Sequence, residues 1–317
     1  MAYNNLRAGK KIAVVIPAFN EENTIASVIS QVPRSIQGIT SVEVIVIDDG
    51  STDSTAKKAK DAGADIIVTH KKRKGLAASF SDGIEKALDE DSDIIVNIDA
   101  DAQYDPSEIP KLIQPIISGE ADVVLGVRSG EGITHMPLSK KIGNKIATAV
   151  ISLLCQHRIR DAQTGFRAFS KEAATMLNIL SDFTYTHEML IILIKKKMKI
   201  LELDINFKPR QGKSRLVESV FDYALRAGVT ILRTYMFYHP LRLFLVLGCL
   251  FFAFAAITPL LLLYQQPKIT ELLIYLVLMA MLVGAGLEII AIGILADMIR
   301  YERELLDKII RMMRKNE

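Results

Sequence analysis

Two apolar runs near the C-terminus constrain this chain more than any other feature. From Leu243 to Tyr264 there is no charged residue, and from Leu272 to Ala296 the sole exception is Glu288. Each run exceeds the ~20 residues that a helix needs to cross a bilayer. In lipid, a helix satisfies its own backbone hydrogen bonds, whereas an open strand or loop cannot. The link "QQPKITE" (Gln265–Glu271) is short and polar and contains Pro267, so the spans form a hairpin with both outer ends on one side. Arg226, Arg233 and Arg242 flank one end, and Arg300, Arg303, Lys308, Arg311, Arg314 and Lys315 the other, against Lys268 alone in the link. Basic residues collect on the cytoplasmic side, which predicts two transmembrane helices with both ends in the cytoplasm. A carboxyl such as Glu288 is costly inside a span and there faces protein or serves a function.

The rest of the 317-residue chain carries charges at ordinary frequency. Its net charge of +3 is too small to argue for nucleic acid. Cys155 and Cys249 have no metal-like spacing and build no disulfide framework, which fits a reducing compartment. "MAYNNLRAGKK" has no apolar core, so no signal peptide is expected. Five runs are apolar and β-branched on consecutive positions: Lys11–Phe19, Val42–Asp48, Ala64–His70, Asp93–Asp99 and Ala121–Val127. That pattern predicts strands buried on both faces of a parallel sheet. Helical patterns alternate with them. "NTIASVISQV" is expected to be capped by Asn20 or Asn23, and "STDSTAKKAKDAG" by Ser51 with Gly63 as its stop. "GLAASFSDGIEKAL" follows, then "PSEIPKLIQPIISG" opening at Pro106. The expected fold is α/β: a Rossmann-like, doubly wound, mostly parallel sheet.

Ligands of such sheets bind beyond the carboxyl ends of the strands. Three strand ends carry suggestive residues: Pro17-Ala18-Phe19-Asn20-Glu21, Asp48-Asp49-Gly50-Ser51 and Asp99-Ala100-Asp101-Ala102-Gln103. Aspartates at i and i+2 can converge on one divalent cation, Mg²⁺ or Mn²⁺, which takes one or two carboxylates and completes its shell with phosphate and water. Gln103 offers a further oxygen. Asp48 and Asp49 can accept from a base N–H or ribose hydroxyls, while an Asp-Gly turn explains only one of them. There is no Gly-X-Gly-X-X-Gly after the first strand and no Walker-type Gly-X-X-X-X-Gly-Lys loop, so dinucleotide and P-loop sites are poor alternatives.

"VVIPAFNEENTI", "VIVIDDGSTDST", "KGLAASFSDGIEKA", "NIDADAQYDP", "VLGVRSG" and "QTGFRAF" occur in that order. Together they resemble the family 2 glycosyltransferases of the GT-A fold, in the polyprenyl-phosphate (dolichyl-phosphate) mannose and glucose synthase branch, over residues 10–215. The resemblance implies that Pro17, Phe19, Glu21, Ile47, Asp48 and Asp49 line the nucleotide pocket. Asp99 would hold the donor, and Asp101 and Gln103, with Asp99, the metal. Arg128 would touch the donor phosphates, joined by Arg210 and, nearby, Lys213 or Arg215. Lys140 and Asn144 would approach the acceptor phosphate, although Lys140 stands where such relatives usually carry arginine, and lysine lacks the bidentate fork.

A hydroxyl acceptor needs a general base, whereas a phosphate monoester is ionised near pH 7 and needs cations instead. "TYTHEM" (Thr184–Met189) stands where polymerising relatives carry an aspartate base; Glu188 is the candidate for that role, and His187 a helix-start residue. Polymerising relatives also use a Gln-X-X-Arg-Trp motif; this chain has no tryptophan, and "QTGFR" is not that motif.

Two further stretches read as basic amphipathic helices of the kind that lie on anionic membrane surfaces. In "LSKKIGNKIATAVISLL", Ile142, Ile146, Ala149, Val150 and Leu153 recur beside Lys140, Lys141 and Lys145. In residues 216–240, Val217, Val220, Phe221, Ala224, Leu225, Ile231, Leu232 and Tyr235 form a stripe with Arg226 and Arg233 off it. The expected organisation is a catalytic domain over 1–215, an interfacial helix over 216–240, two transmembrane helices within 241–297 (about 243–264 and 272–296), and an amphipathic cytosolic tail over 298–317. The expected activity is inverting transfer of one hexose from a nucleotide-diphosphate sugar, UDP-glucose, UDP-GlcNAc or GDP-mannose, to a polyprenyl (dolichyl) phosphate in the bilayer, by an enzyme that could form a homo-oligomer. The rival readings are transfer to a hydroxyl of diacylglycerol or a saccharide, and an inactive membrane-anchored nucleotide-sugar sensor.

Overall fold

In this computed structural model the described residues are 9–134, 136, 138–179, 185–209, 228–229, 232–233, 235–236, 239–265 and 269–314. Arg210, Lys213 and Arg215, and most of the stripe expected over 216–240, lie outside them. The chain divides into two compact units, Met1–Ile231 and Leu232–Glu317.

The first unit is built on seven strands: β1 (Lys10–Ala18), β2 (Ile39–Asp48), β3 (Ile66–Thr69), β4 (Ile94–Asn97), β5 (Val123–Ser129), β6 (Arg167–Ser170) and β7 (Ile200–Asn206). Their order in one sheet is β3-β2-β1-β4-β6-β5-β7. The strands read from the sequence are the first five, and β1, β2, β3 and β4 pair in parallel. The remaining two change the architecture. β6 runs antiparallel to both β4 and β5, and β7 joins the far edge parallel to β5. β6 is only four residues long and begins with a fully buried arginine, Arg167, so it lacks the apolar run that announces a central strand. β7 alternates apolar and polar residues (ILELDIN), as an edge strand does.

Helices α1 (Ile25–Ser30), α2 (Thr55–Asp61), α3 (Leu76–Asp89), α4 (Ile109–Ile117, after a 3₁₀ turn at Pro106–Glu108), α5 (Glu131–Thr134), α6 (Leu138–Cys155), α7 (Lys171–Thr175) and α8 (Tyr185–Lys195) fill the connections. The expected caps are corrected. α1 starts after Thr24, not at either asparagine, and the Asn20 side chain instead accepts from Thr52 N at 2.8 Å. α2 starts after Ser54. Ser51 Oγ accepts from Asn20 N at 2.9 Å, so these polar groups tie the β1 and β2 loops together rather than capping helices. Gly63, at φ +92°, follows α2 as expected. α3 lies close on the sheet because Gly83 has no side chain: a Cβ there would sit 2.3 Å from Val15 Cγ1.

The second unit contains α9 (Pro240–Gln265) and α10 (Ile269–Arg314). They pack at glycines. A Cβ on Gly248 would sit 2.5 Å from Ile290 Cγ1, and one on Gly293 2.5 Å from Phe244 Cβ. Pro240–Leu260 and Leu272–Arg303 are long and apolar enough to cross a membrane, and only 17% and 6% of their apolar windows are buried within the protein. A core helix of a soluble protein is mostly buried; these two leave their apolar side chains for another medium, which suggests a membrane anchor. Glu288 is exposed on α10. The tail expected from residue 298 is no separate element: α10 continues unbroken for 46 residues, about 69 Å at 1.5 Å per residue.

Candidate active site

The β1, β2 and β4 ends and the start of α3 enclose one pocket, lined by Pro17, Ala18, Phe19, Glu21, Asp49, Arg73, Leu76, Ser79, Asp99, Ala100 and Asp101. Its place beyond the carboxyl ends of parallel strands follows from the topology, since strand ends leave space between diverging loops. Six residues singled out in the sequence are brought together there: Pro17, Phe19, Glu21, Asp49, Asp99 and Asp101.

Asp99 follows β4 by two residues and is backed by Gly165. A Cβ on Gly165 would lie 2.1 Å from Asp99 Oδ2, so only glycine leaves room for that carboxylate. Gly165 is itself held on both sides. Its N–H donates to Tyr104 Oη at 2.8 Å, and its carbonyl accepts from Asn97 Nδ2 at 2.7 Å. Asn97 Nδ2 also reaches Tyr185 Oη at 3.1 Å, and the Tyr185 ring stacks on Phe80 with centroids 3.9 Å apart. Burial, with the Asp99 charge nearby, pushes both Tyr104 and Tyr185 above the ordinary phenol range, so they serve as neutral hydrogen-bonding groups.

Asp49 is buried and takes three donors: His70 Nδ1 at 2.8 Å, Lys74 N at 2.7 Å and Gly75 N at 2.9 Å. Arg73, from the same loop, lies 4.2 Å over the Phe19 ring.

Other sequence candidates sit elsewhere. Ile47 is fully buried in the sheet, and Asp48, 2% exposed, accepts from Ser51 N at 3.1 Å; neither is among the pocket-lining residues. Gln103 is outside the lining too: its Nε2 donates to Lys208 O at 3.2 Å, and its N–H donates to Asp101 Oδ1 at 3.2 Å. Arg128 forms a bidentate pair with Asp161, Nε to Oδ2 at 2.7 Å and Nη2 to Oδ1 at 2.8 Å. Burial opposes the Arg128 charge, but Tyr104, Asp161 and Asp99 hold it above its ordinary range; burial likewise opposes the Asp161 charge, which Arg128 holds below its own. Lys140 lies on α6, and Asn144 on the same helix donates to Met136 Sδ at 3.6 Å.

On α6, Leu138, Ile142, Ile146 and Leu153 are 50–77% exposed, and Val150 37%. The apolar stripe therefore points outward and is not packed in the core. His187 and Glu188 are buried on α8; burial and the Arg167 charge push the His187 imidazole down to about 4.

A model described as glycosyl transferase family 2 matches residues 13–176. The chain belongs to this family. A UDP-N-acetylglucosamine–dolichyl-phosphate N-acetylglucosaminyltransferase of Methanococcus voltae is 34% identical over 62% of this chain and 86% of its own length. A dolichol-phosphate mannosyltransferase of Pyrococcus furiosus is 31% identical over 67% of this chain and 61% of its own. Among solved structures, a glucosyl-3-phosphoglycerate synthase of Mycobacterium tuberculosis, in complex with Mn²⁺, UDP-glucose and phosphoglyceric acid, superposes with a TM-score of 0.59 at 25% identity, over 72% of this chain and 80% of that one. The protein is thus a glycosyltransferase with a mixed α/β sheet of the GT-A kind, followed by two apolar helices.

Sequence reasoning missed four residues that line or brace the pocket, Arg73, His70, Gly165 and Tyr104, and a fifth, Asp161, that holds Arg128 outside its lining. Arg73 lies in the basic run "HKKRKG", which drew no attention beside the motif that follows it. Gly165 lies inside the quoted "QTGFRAF" but carried no assigned role. Tyr104 lies inside the quoted "NIDADAQYDP" and His70 ends the third strand run, but neither carried an assigned role, and Asp161 had no local signal.

Proposed function

We propose that this glycosyltransferase moves a single hexose from a nucleotide-diphosphate sugar to a polyprenyl phosphate, with inversion at the anomeric carbon. The observation that carries the proposal is the meeting of Asp99 and Asp101 with Phe19, Glu21 and Asp49 in one pocket, in a chain that also has two membrane-length apolar helices. The dolichyl-phosphate relatives support the acceptor class, and their names divide between UDP-N-acetylglucosamine and mannose; the donor candidates are therefore UDP-GlcNAc, UDP-glucose and GDP-mannose.

The donor set fits a divalent cation. Among the described residues no cluster of three His, Cys, Asp or Glu side chains could hold a metal by itself, whereas Asp99 and Asp101 supply the one or two carboxylates that Mg²⁺ or Mn²⁺ takes when diphosphate and water complete its shell. Such an ion, when bound, neutralises charge on the leaving diphosphate. The chain's own residues do the rest. Phe19 and Arg73 face the nucleotide, Asp49 holds the loop that carries Arg73, and Gly165 keeps Asp99 in place. Arg210 and Lys213 are the candidates for further contacts with the donor phosphates, and Lys140 and Asn144 for the acceptor phosphate. An acceptor phosphate oxygen bonds to the anomeric carbon as the bond from that carbon to the diphosphate breaks, and the electron pair leaves with the diphosphate. The acceptor is already ionised, so no side chain has to remove a proton, and Glu188 is not needed as a base.

The outward stripe of α6, with Lys141 and Lys145 beside it, suits the surface of an anionic bilayer, where a lipid phosphate is presented. The catalytic domain and C-terminus are assigned to the cytoplasm from the arginine and lysine bias. Incubating the detergent-solubilised chain with radiolabelled nucleotide-sugars, polyprenyl phosphate and Mn²⁺ tests the reading: an acid-labile labelled lipid supports it, and label in a glycolipid or polymer alone replaces the acceptor with a hydroxyl. Asp101→Asn is expected to abolish transfer at any metal concentration while the protein stays folded.

A further inference from the structure

We propose that His70 is a positioning residue for the donor nucleotide, clamping Asp49 of the pocket to Asp82 of α3; this rests on the nucleotide reading of that pocket. His70 is 6% exposed, and the sequence reading assigned it no role. Its two ring nitrogens meet two carboxylates from different elements. Nδ1 lies 2.8 Å from Asp49 Oδ1, and Nε2 lies 2.8 Å from Asp82 Oδ2. The same Asp82 oxygen accepts from Lys74 Nζ at 2.8 Å, while the backbone N–H of Lys74 donates to Asp49. The loop from His70 to Gly75 is thus fastened at both ends to two carboxylates, with the imidazole between them.

The chain packs the loop against the β2 turn. Gly50 has φ +72°, and a Cβ there would come within 3.0 Å of Arg73 N and 3.1 Å of Lys72 C. Only with the loop in that place does the Arg73 guanidinium lie over Phe19 on the pocket wall. Asp49 already takes three donors from this loop, so its carboxylate is spent largely on holding the loop, and the surface offered to the nucleotide is the one the loop presents. Removing the imidazole leaves a void between the two carboxylates and takes away the group that links them; Asp49 then keeps only the Lys74 and Gly75 N–H donors, and Asp82 keeps Lys74 Nζ. The effect falls on nucleotide affinity. The chemical step depends on Asp99 and Asp101 at the β4 end, which His70 does not touch.

The test uses the full chain in detergent with Mn²⁺, titrated calorimetrically with UDP and with GDP, alongside donor KM and kcat at saturating polyprenyl phosphate. His70→Ala and Asp82→Ala are each expected to weaken binding of the preferred nucleotide and raise donor KM by about tenfold, with kcat within about twofold. The double variant should be no worse than His70→Ala, because both remove one clamp. His70→Asn, which keeps an N–H near the position of Nδ1 and so toward Asp49, should restore more affinity than His70→Gln. Asp82 is partly exposed, so Asp82→Ala carries the test if His70→Ala fails to fold. Wild-type-like affinity in Asp82→Ala, or equal losses of kcat and affinity, overturns the clamp. A wild-type protein that binds neither nucleotide overturns the nucleotide reading, and the clamp with it.

Discussion

At the scale of single residues, the site depends on side chains that are absent or neutral as much as on those that are charged. Gly165 is the sharpest case, since its missing Cβ is what lets the Asp99 carboxylate occupy its place. Gly165→Ala is expected to lower kcat/KM by about 100-fold, the usual cost of displacing a reacting group by an ångström. Circular dichroism should show a folded protein, and a variant with wild-type turnover would remove Gly165 from the argument. His187 is a second case. Both its ring nitrogens are buried without a hydrogen-bond partner among the described residues, and burial beside Arg167 lowers its pKa to about 4. The folded state therefore prefers the neutral ring, while the unfolded chain binds a proton near pH 6.5. The associated stability is complete above that value and is lost as pH falls toward 4, by about 3 kcal/mol in all. Denaturant midpoints at pH 7 and pH 4.5 should diverge in the wild type, and His187→Leu should remove most of the difference.

At the scale of elements, α3 and β6 decide how the strand ends meet. α3 approaches the sheet through Gly83, below Val15 and Ile47, and it carries Leu76 and Ser79 into the pocket and Asp82 to His70. Gly83→Val is expected to push the helix off the sheet and cost about 1–3 kcal/mol by overpacking, measured as a lowered chemical denaturation midpoint. An unchanged midpoint would show that α3 is free to slide. The first five strands were legible because a buried parallel strand is a continuous apolar run. β6 was not: its position between β4 and β5 is set by pairing, and its first residue is a buried Arg167 whose Nη2 and Nη1 donate to the carbonyls of Ala162 and Thr186, while its Nε is buried with no partner among the described residues. The helix caps failed for a related reason. Asn20 and Ser51 are good capping residues in isolation, yet each found its partner on the neighbouring strand's loop.

At the scale of the whole molecule, the chain joins a mixed-sheet glycosyltransferase domain to a glycine-packed hairpin of apolar helices. With so little of α9 and α10 covered by protein, the full chain is expected to stay with the membrane fraction after an alkaline carbonate wash and to leave it only in detergent. Release by carbonate alone would count against spanning helices. The sequence by itself determined the two apolar helices, the parallel strands and the Asp99-Ala100-Asp101 strand end, because each is written in consecutive or regularly spaced residues. Only the tertiary structure decided that Asp49 is committed to His70, that Arg128 is paired with Asp161, that Gln103 turns toward Lys208, and that Gly165 makes room for Asp99. Those contacts join residues from 21 to 105 positions apart. Their energy comes from burial and hydrogen-bond geometry set by the assembled sheet, and no local pattern along the chain carries that information.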